Sequence, residues 1–272
     1  MTRVRRWIQG VVVALALSLG ALEPGPVAAS TPAVKWYRRM AGQGYANAQF
    51  ILGFMYAHGE GVPQNNTAAR QWYLRAAEPG NAEAQNHLGA MYEWGQGVPQ
   101  NYGQAVAWYR RAAEQGDVTG QFNLGFMYTQ GHGVPHSSVE AAKWSRRAAD
   151  QGYADAQYFL GGMYADGHGV PQDYTEAIQW YRRAAEQGHA GAQLSLGLAY
   201  FDGRGVPQDF VQAHLWLNLA AARHPPGATR ATAARIRDTV AQRMTPAQLA
   251  RAQELASQWL PHEETFASAP CP

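Results

Sequence analysis

Tryptophan recurs every 36 residues, at Trp36, Trp72, Trp108, Trp144, Trp180 and Trp216. Val-Pro pairs keep the same step, at Val62-Pro63, Val98-Pro99, Val134-Pro135, Val170-Pro171 and Val206-Pro207. A fixed period of this length marks a repeat array, in which each unit buries its apolar face only against its neighbours. The 272 residues are therefore read as a stack, not as two globular domains around separate cores. Such stacks present long recognition surfaces more often than they house chemistry.

Five full units fit 45–80, 81–116, 117–152, 153–188 and 189–224, each with two helices. The first helix opens near an Ala-x-Ala-Gln element such as Ala46-Asn47-Ala48-Gln49. Gln49, Leu52, Gly53 and Tyr56 then fall at i, i+3, i+4 and i+7, the template of one buried helix face. Glycine inside a helix costs roughly 1 kcal/mol relative to alanine. Its return at Gly89, Gly125, Gly161 and Gly197 therefore predicts a close helix–helix approach. Gly-x-Gly-Val-Pro turns follow, where glycine permits positive φ and proline stops the first helix. The second helix starts with capping-box spacing at Asn101/Gln104, Ser137/Glu140, Asp173/Glu176 and Asp209/Gln212. Asn65/Ala68 lacks the return partner. These helices carry Trp-Tyr-Arg-Arg-Ala-Ala, as at Trp108–Ala113, and end in Gln-Gly, where glycine suits a C-cap.

Both ends depart from the period. Residues 1–29 read as a secretory signal, with Arg3, Arg5 and Arg6 before an apolar run and Val27-Ala28-Ala29 offering a cleavage site before Ser30. The 16 residues from Trp7 to Leu22 fall short of the roughly 17–25 that span a bilayer. Cleavage and a periplasmic or secreted location are expected, with no stable membrane insertion afterwards; an uncleaved inner-membrane anchor is the alternative. Residues 30–44 form an N-terminal half-repeat opened by Thr31-Pro32. After Pro225-Pro226-Gly227, residues 229–243 and 246–259 read as amphipathic capping helices within 225–261, and 262–272 as a disordered tail. Cys271 is the only cysteine, so no internal disulfide framework exists.

The formal charge of +2 comes from the signal segment; without it, acidic and basic residues balance. No basic face remains for a phosphate backbone, so nucleic acid is not an expected partner. His58, His132 and His168 are about a repeat apart, without carboxylate or thiol at ligand spacing, so no metal site is expected. Arg110-Arg111 and Arg182-Arg183 stand one turn before Glu114 and Glu186, which suggests a solvated, ion-paired helix face. No nucleophile motif or phosphate loop occurs, and no catalytic residues or cofactor are expected.

The units resemble Sel-one-like repeats, a branch of the tetratricopeptide-like solenoids. Ala-x-Ala-Gln-x-x-Leu-Gly-x-x-Tyr, Gly-x-Gly-Val-Pro-Gln and Trp-Tyr-Arg-Arg-Ala-Ala-Glu-Gln-Gly carry the resemblance across residues 33–224. Ala213–Ala220 with Met244–Gln248 resembles the C-terminal ends of bacterial members. The resemblance implies an all-α fold, a right-handed α/α superhelix of 36-residue helix-turn-helix repeats with C-terminal capping helices. It further implies a scaffold or adaptor for protein contacts, on the concave groove or, alternatively, the convex face. Some cysteine-rich relatives were linked to penicillin binding or β-lactam hydrolysis, but here no repeat contains cysteine.

In such stacks the first helices line the concave side. Their stripe away from the Leu-Gly-Tyr face reads Asn47-Phe50-Phe54, Glu83-Asn86-Ala90, Thr119-Phe122-Phe126, Asp155-Tyr158-Gly162 and Gly191-Leu194-Leu198. It varies between units, whereas packing positions repeat. Phe50, Phe54, Asn86, Phe122, Phe126, Tyr158, Leu194, Leu198 and Phe201 are thus the expected groove for a protein or extended peptide, aromatic residues being favoured anchors.

Overall fold

A computed structural model describes residues 31–222 and 227–259. The signal segment 1–29, the tail 262–272 and Cys271 lie outside the described residues. Among the described residues there are thirteen helices and no strand. Two compact units divide the chain, one ending at Trp72 and the other beginning at Tyr73.

The first unit contains α1 (Pro32–Gly42), α2 (Ala46–His58) and the start of α3 (Asn66–Ala77). Thr31 Oγ1 accepts from the Val34 amide at 3.4 Å and Pro32 opens the first turn, the arrangement that satisfies an orphan amide at a helix start. Val34, Leu52, Met55 and Val62 form the core here. Trp36, the first rung of the ladder, is 55% exposed.

The second unit continues with α4 (Ala82–Trp94), α5 (Tyr102–Glu114), α6 (Val118–Gln130), α7 (Ser138–Asp150), α8 (Ala154–Asp166), α9 (Tyr174–Glu186), α10 (Ala190–Asp202) and α11 (Phe210–Ala222). The capping helices α12 (Ala228–Ala241) and α13 (Pro246–Gln258) follow. From α4 to α12 each helix packs on the next, and both capping helices pack on α11. This serial pairing is the α-solenoid arrangement. Asn101, Ser137, Asp173 and Asp209 each accept from the amide three residues on, at 3.0–3.3 Å. Asn65 does the same toward Ala68 at 2.9 Å, although the box spacing is absent there. Both halves of the box close at Thr245/Gln248.

The recurrent helix glycines stand where the second helix crosses closest. A Cβ on Gly161 would lie 2.7 Å from the Tyr181 ring, and one on Gly125 would lie 2.8 Å from Ser145 Oγ. The turns lock consecutive repeats. Gly169 has φ +74°, and a Cβ there would sit 2.0 Å from Ser138 O at the start of the preceding second helix. Side chains of other turns follow the same route, His132 stacking on Tyr102 at 4.3 Å and Arg204 lying over Tyr174.

The buried glutamines do more than fill a helix face. Gln85, Gln121, Gln157 and Gln193 are nearly inaccessible, and their Nε2 groups donate to the carbonyls of Ala77, Ala113, Ala149 and Ala185. Those carbonyls lie in the last turn of the preceding second helix, and each also accepts from a turn-glycine amide, as Ala149 O does from Gly152 at 3.0 Å. In turn Gln115, Gln151 and Gln187 donate Nε2 to the Oε1 of Gln85, Gln121 and Gln157 at 2.6–2.9 Å. A ladder of side-chain amides thus runs through the stack.

Trp144, Trp180 and Trp216 are 8%, 3% and 6% exposed. Burial of about 150–250 Å2 per indole, at roughly 25 cal/mol per Å2, corresponds to about 4–6 kcal/mol as an upper bound. The expected Arg–Glu pairing is replaced by aromatic partners. Arg110 donates to Tyr128 OH at 3.0 Å, and Arg146 and Arg182 donate to Tyr164 and Tyr200. The second arginine of each pair stacks on the tryptophan one turn earlier, Arg183 over Trp180 at 4.4 Å and Arg147 over Trp144 at 4.4 Å. Guanidinium groups prefer such faces because the ring quadrupole attracts cations.

Candidate functional site

A helix face is lined by residues three and four apart. On the first helices of the second unit this gives four stripes: Glu83-Asn86-Ala90-Trp94, Thr119-Phe122-Phe126-Gln130, Asp155-Tyr158-Gly162-Asp166 and Gly191-Leu194-Leu198-Asp202. Lateral contacts hold these helices side by side. Asn86 donates to Thr119 Oγ1 at 2.9 Å and accepts from Asn123 at 2.8 Å, joining α4 to α6. Phe122 meets Tyr153 and Phe159 edge-on at 5.4 and 6.0 Å, joining α6 to the α8 region. Tyr158 of α8 stacks on His189, the N-cap of α10, at 4.5 Å.

The expected groove residues separate by burial. Phe50 and Phe54 are 7% and 2% exposed. Both are buried, and Phe54 stacks on His58 at 3.9 Å, so they offer no open surface. Unit-to-unit variation misled at these positions. Asn86, Phe122, Tyr158, Leu194, Leu198 and Phe201 are half-buried, and Phe126 is 37% exposed. Tyr158, Leu194 and Phe201 also pack against the C-terminal core. The open part of the face therefore lies in the second unit, with Phe126 its most prominent aromatic in the middle of a stripe. Trp94, 65% exposed at the end of α4, belongs to the same face and was not among the expected residues. Its signal was an aromatic at a stripe end where the other units carry His58, Gln130, Asp166 and Asp202.

Gly162 makes a dip in this face. It occupies the position held by Phe126 on α6 and Leu198 on α10. A Cβ there would meet only Tyr181 OH, at 3.8 Å. The floor is the Tyr181 phenol, pushed up to about 12 by burial and then by nearby Tyr158 and Asp166. It stays neutral at any ordinary pH, and its hydroxyl shares a hydrogen bond with Ser195.

Carboxylates rim the face. Burial and the charge of Asp117 raise the Glu83 carboxyl, and burial raises Asp117 despite the amide of Gly120 and the hydroxyl of Thr119 bonded to it. Asp155 is lowered, first by its hydrogen bond from His189, whose Nε2 lies 3.3 Å away. His189 Nδ1 accepts from the Ala192 amide at 3.0 Å, so Nε2 carries the proton that points to Asp155. Among the described residues no group of three or more His, Cys, Asp or Glu side chains could hold a metal ion. His58, at its Nδ1, is hydrogen-bonded to Phe54 O and His132 is stacked on Tyr102.

A solenoid with an aromatic face of this kind defines a class, the α-helical repeat proteins that act through contact surfaces. The sequence pattern of the Sel1 repeat matches residues 31–45, 46–81, 82–117, 118–153, 154–189 and 190–224. The chain belongs to the Sel1 repeat family, whose repeats commonly form protein-interaction scaffolds. It is similar to a crystallised Sel1 repeat protein from Oxalobacter formigenes, at 32% identity and a TM-score of 0.68 over 84% of this chain and 96% of that one. It is also similar to c5321, a protective antigen of uropathogenic Escherichia coli displaying an SLR fold, at 32% identity and a TM-score of 0.54. That match covers 83% of this chain and 55% of the antigen. Comparison with curated proteins returned no match.

Proposed function

We propose that this protein is an exported, non-catalytic adaptor that binds a protein or extended peptide on the first-helix face of its second unit. The observation that carries the reading is the dip at Gly162, set between the Phe126 and Leu198 positions and floored by a neutral tyrosine hydroxyl. Apolar walls with one polar group at the base suit a partner side chain seated end-on, since aromatic and aliphatic anchors in desolvated pockets carry most recognition energy. Half-buried Tyr158 and Leu194 supply a surface already ordered by packing, which lowers the entropy cost of binding. Export is supported by the basic, apolar and small-residue order of residues 1–29.

Gly162→Leu tests the site. Its backbone is ordinary helix and space is open around its Cα. The substitution should raise stability by up to about 1 kcal/mol through helix propensity. It should also abolish retention of any partner that the wild type recovers from a periplasmic extract. Unchanged retention by the stabilised variant refutes the site. Mass analysis of the protein purified from periplasm should show a chain starting at Ser30; an intact N-terminus in the membrane fraction refutes cleavage. A chromogenic β-lactam should remain unhydrolysed, and turnover by the purified protein refutes the non-catalytic reading.

A further inference from the structure

The first helices of the second unit carry acids without bases, whereas the second helices carry both, Glu114, Glu140, Asp150, Glu176 and Glu186 standing among their bases. Helices α4, α6, α8 and α10 contain no Lys or Arg at all, and their acidic residues are Glu83, Glu93, Asp155, Asp166 and Asp202. Arg110, Arg111, Lys143, Arg146, Arg147, Arg182 and Arg183 all stand on α5, α7 and α9.

The acids are placed at the stripe ends. Glu83 lies at the N-terminal edge of the face, Asp166 and Asp202 at the C-terminal edge, and the apolar lane of Phe122, Phe126, Tyr158, Leu194 and Leu198 runs between them. Glu83, Asp166 and Asp202 are exposed and take part in none of the ion pairs formed among the described residues. Asp166 is near enough to act on the Tyr181 phenol at the floor of the Gly162 dip.

Resting on the adaptor reading above, we infer that the partner segment is cationic and apolar, a peptide whose Lys or Arg side chains meet these carboxylates while its aliphatic or aromatic side chains fill the lane and the Gly162 dip. An anionic segment would be repelled along both edges, and like-charge juxtaposition is an effective way to exclude wrong partners. The Glu83 carboxyl is raised in part by the charge of Asp117 beside it. A basic side chain placed there relieves the repulsion. Glu93 takes no part, because it is buried and accepts from Tyr109 OH at 2.5 Å.

Three dye-labelled synthetic peptides of one length and one leucine pattern test this, alternating leucine with lysine, with glutamate or with glutamine. Fluorescence anisotropy with the mature chain reads their affinities at low and high salt. The lysine peptide should bind about tenfold or more tighter than the glutamine peptide at low salt, from a few rim ion pairs together. The advantage should shrink with salt. It should be lost in Glu83→Gln/Asp166→Asn/Asp202→Asn and kept in Glu114→Gln/Asp150→Asn, whose changes lie on second helices. Equal binding of the lysine and glutamine peptides, both abolished by Gly162→Leu, overturns the charge inference and leaves the adaptor site standing. Preference for the glutamate peptide, or equal loss in the second-helix control, overturns the inference as well. Absence of binding by all three, or binding indifferent to Gly162→Leu, overturns both.

Discussion

Gln157→Leu removes one rung of the amide ladder and leaves an apolar side chain one atom shorter. The substitution deletes the bond from Nε2 to Ala149 O at 3.1 Å and the bond accepted by Oε1 from Gln187 at 2.9 Å. Each is worth about 1 kcal/mol net, and the Ala149 carbonyl keeps the bond it accepts from the Gly152 amide at 3.0 Å. Gln187 keeps its second bond, to Gly152 O at 2.9 Å, and leucine returns a fraction of the loss through apolar burial. The expected cost is about 1–2 kcal/mol. Gln49→Leu is the internal comparison. Gln49 makes the equivalent bond to Ala41 O at 3.1 Å, but its Oε1 is buried with no partner. Its replacement deletes one bond and also removes an orphan acceptor, so it should cost less than half as much. Urea titration followed by circular dichroism measures both, with hydrogen exchange of α7 and α8 amides reading the loss locally, since solenoids unfold with limited cooperativity. Equal costs at the two positions, or no cost at Gln157, refute the ladder as a stabilising device.

Phe54→Ala should cost about 3–5 kcal/mol as a core truncation, while Phe126→Ala should stay within about 1 kcal/mol, both read by thermal melts; equal shifts contradict the burial difference. Gly169→Ala combines positive φ with a Cβ facing Ser138 O and should exceed the cost of Gly167→Ala, whose nearest neighbour is Gln172 Cβ at 3.2 Å. Glu83 is raised in the folded state, so the native protein binds more protons than the unfolded chain between the ordinary and the raised value. Stability therefore falls as pH rises through that window. Glu83→Gln should raise the urea midpoint at neutral pH and leave it unchanged below the carboxylate range; a gain at both pH values contradicts the assignment.

Much of this was legible in the period. Leu52, Leu88, Leu124, Leu160 and Leu196 were placed on a buried face by spacing alone, and each is at most 1% exposed. Helix glycines were read as close approaches because glycine has an energetic cost there that only packing offsets. Partners across repeats were less legible. Arg110 and Arg182 looked like i+4 ion-pair members, yet their hydroxyl partners stand 18 residues on, at Tyr128 and Tyr200. That offset recurs at Arg38/Tyr56 and Arg146/Tyr164 and was available as a signal. The groove was overdrawn for a related reason. Variable positions need not be open, since a side chain on one first helix can be matched to the next, as Asn86 is to Thr119 and Asn123 and Tyr158 is to His189.

We propose that the first-helix face of the second unit carries the function, and site-specific photo-crosslinking tests that proposal most directly. A photoreactive residue at Phe126 or Leu198 should yield a discrete adduct with the bound partner in living cells. The same group at the exposed second-helix positions Lys143 and Gln179 should not. Adducts from Lys143 and Gln179 with none from Phe126 and Leu198 would place the contact surface on the opposite helices and contradict the assignment.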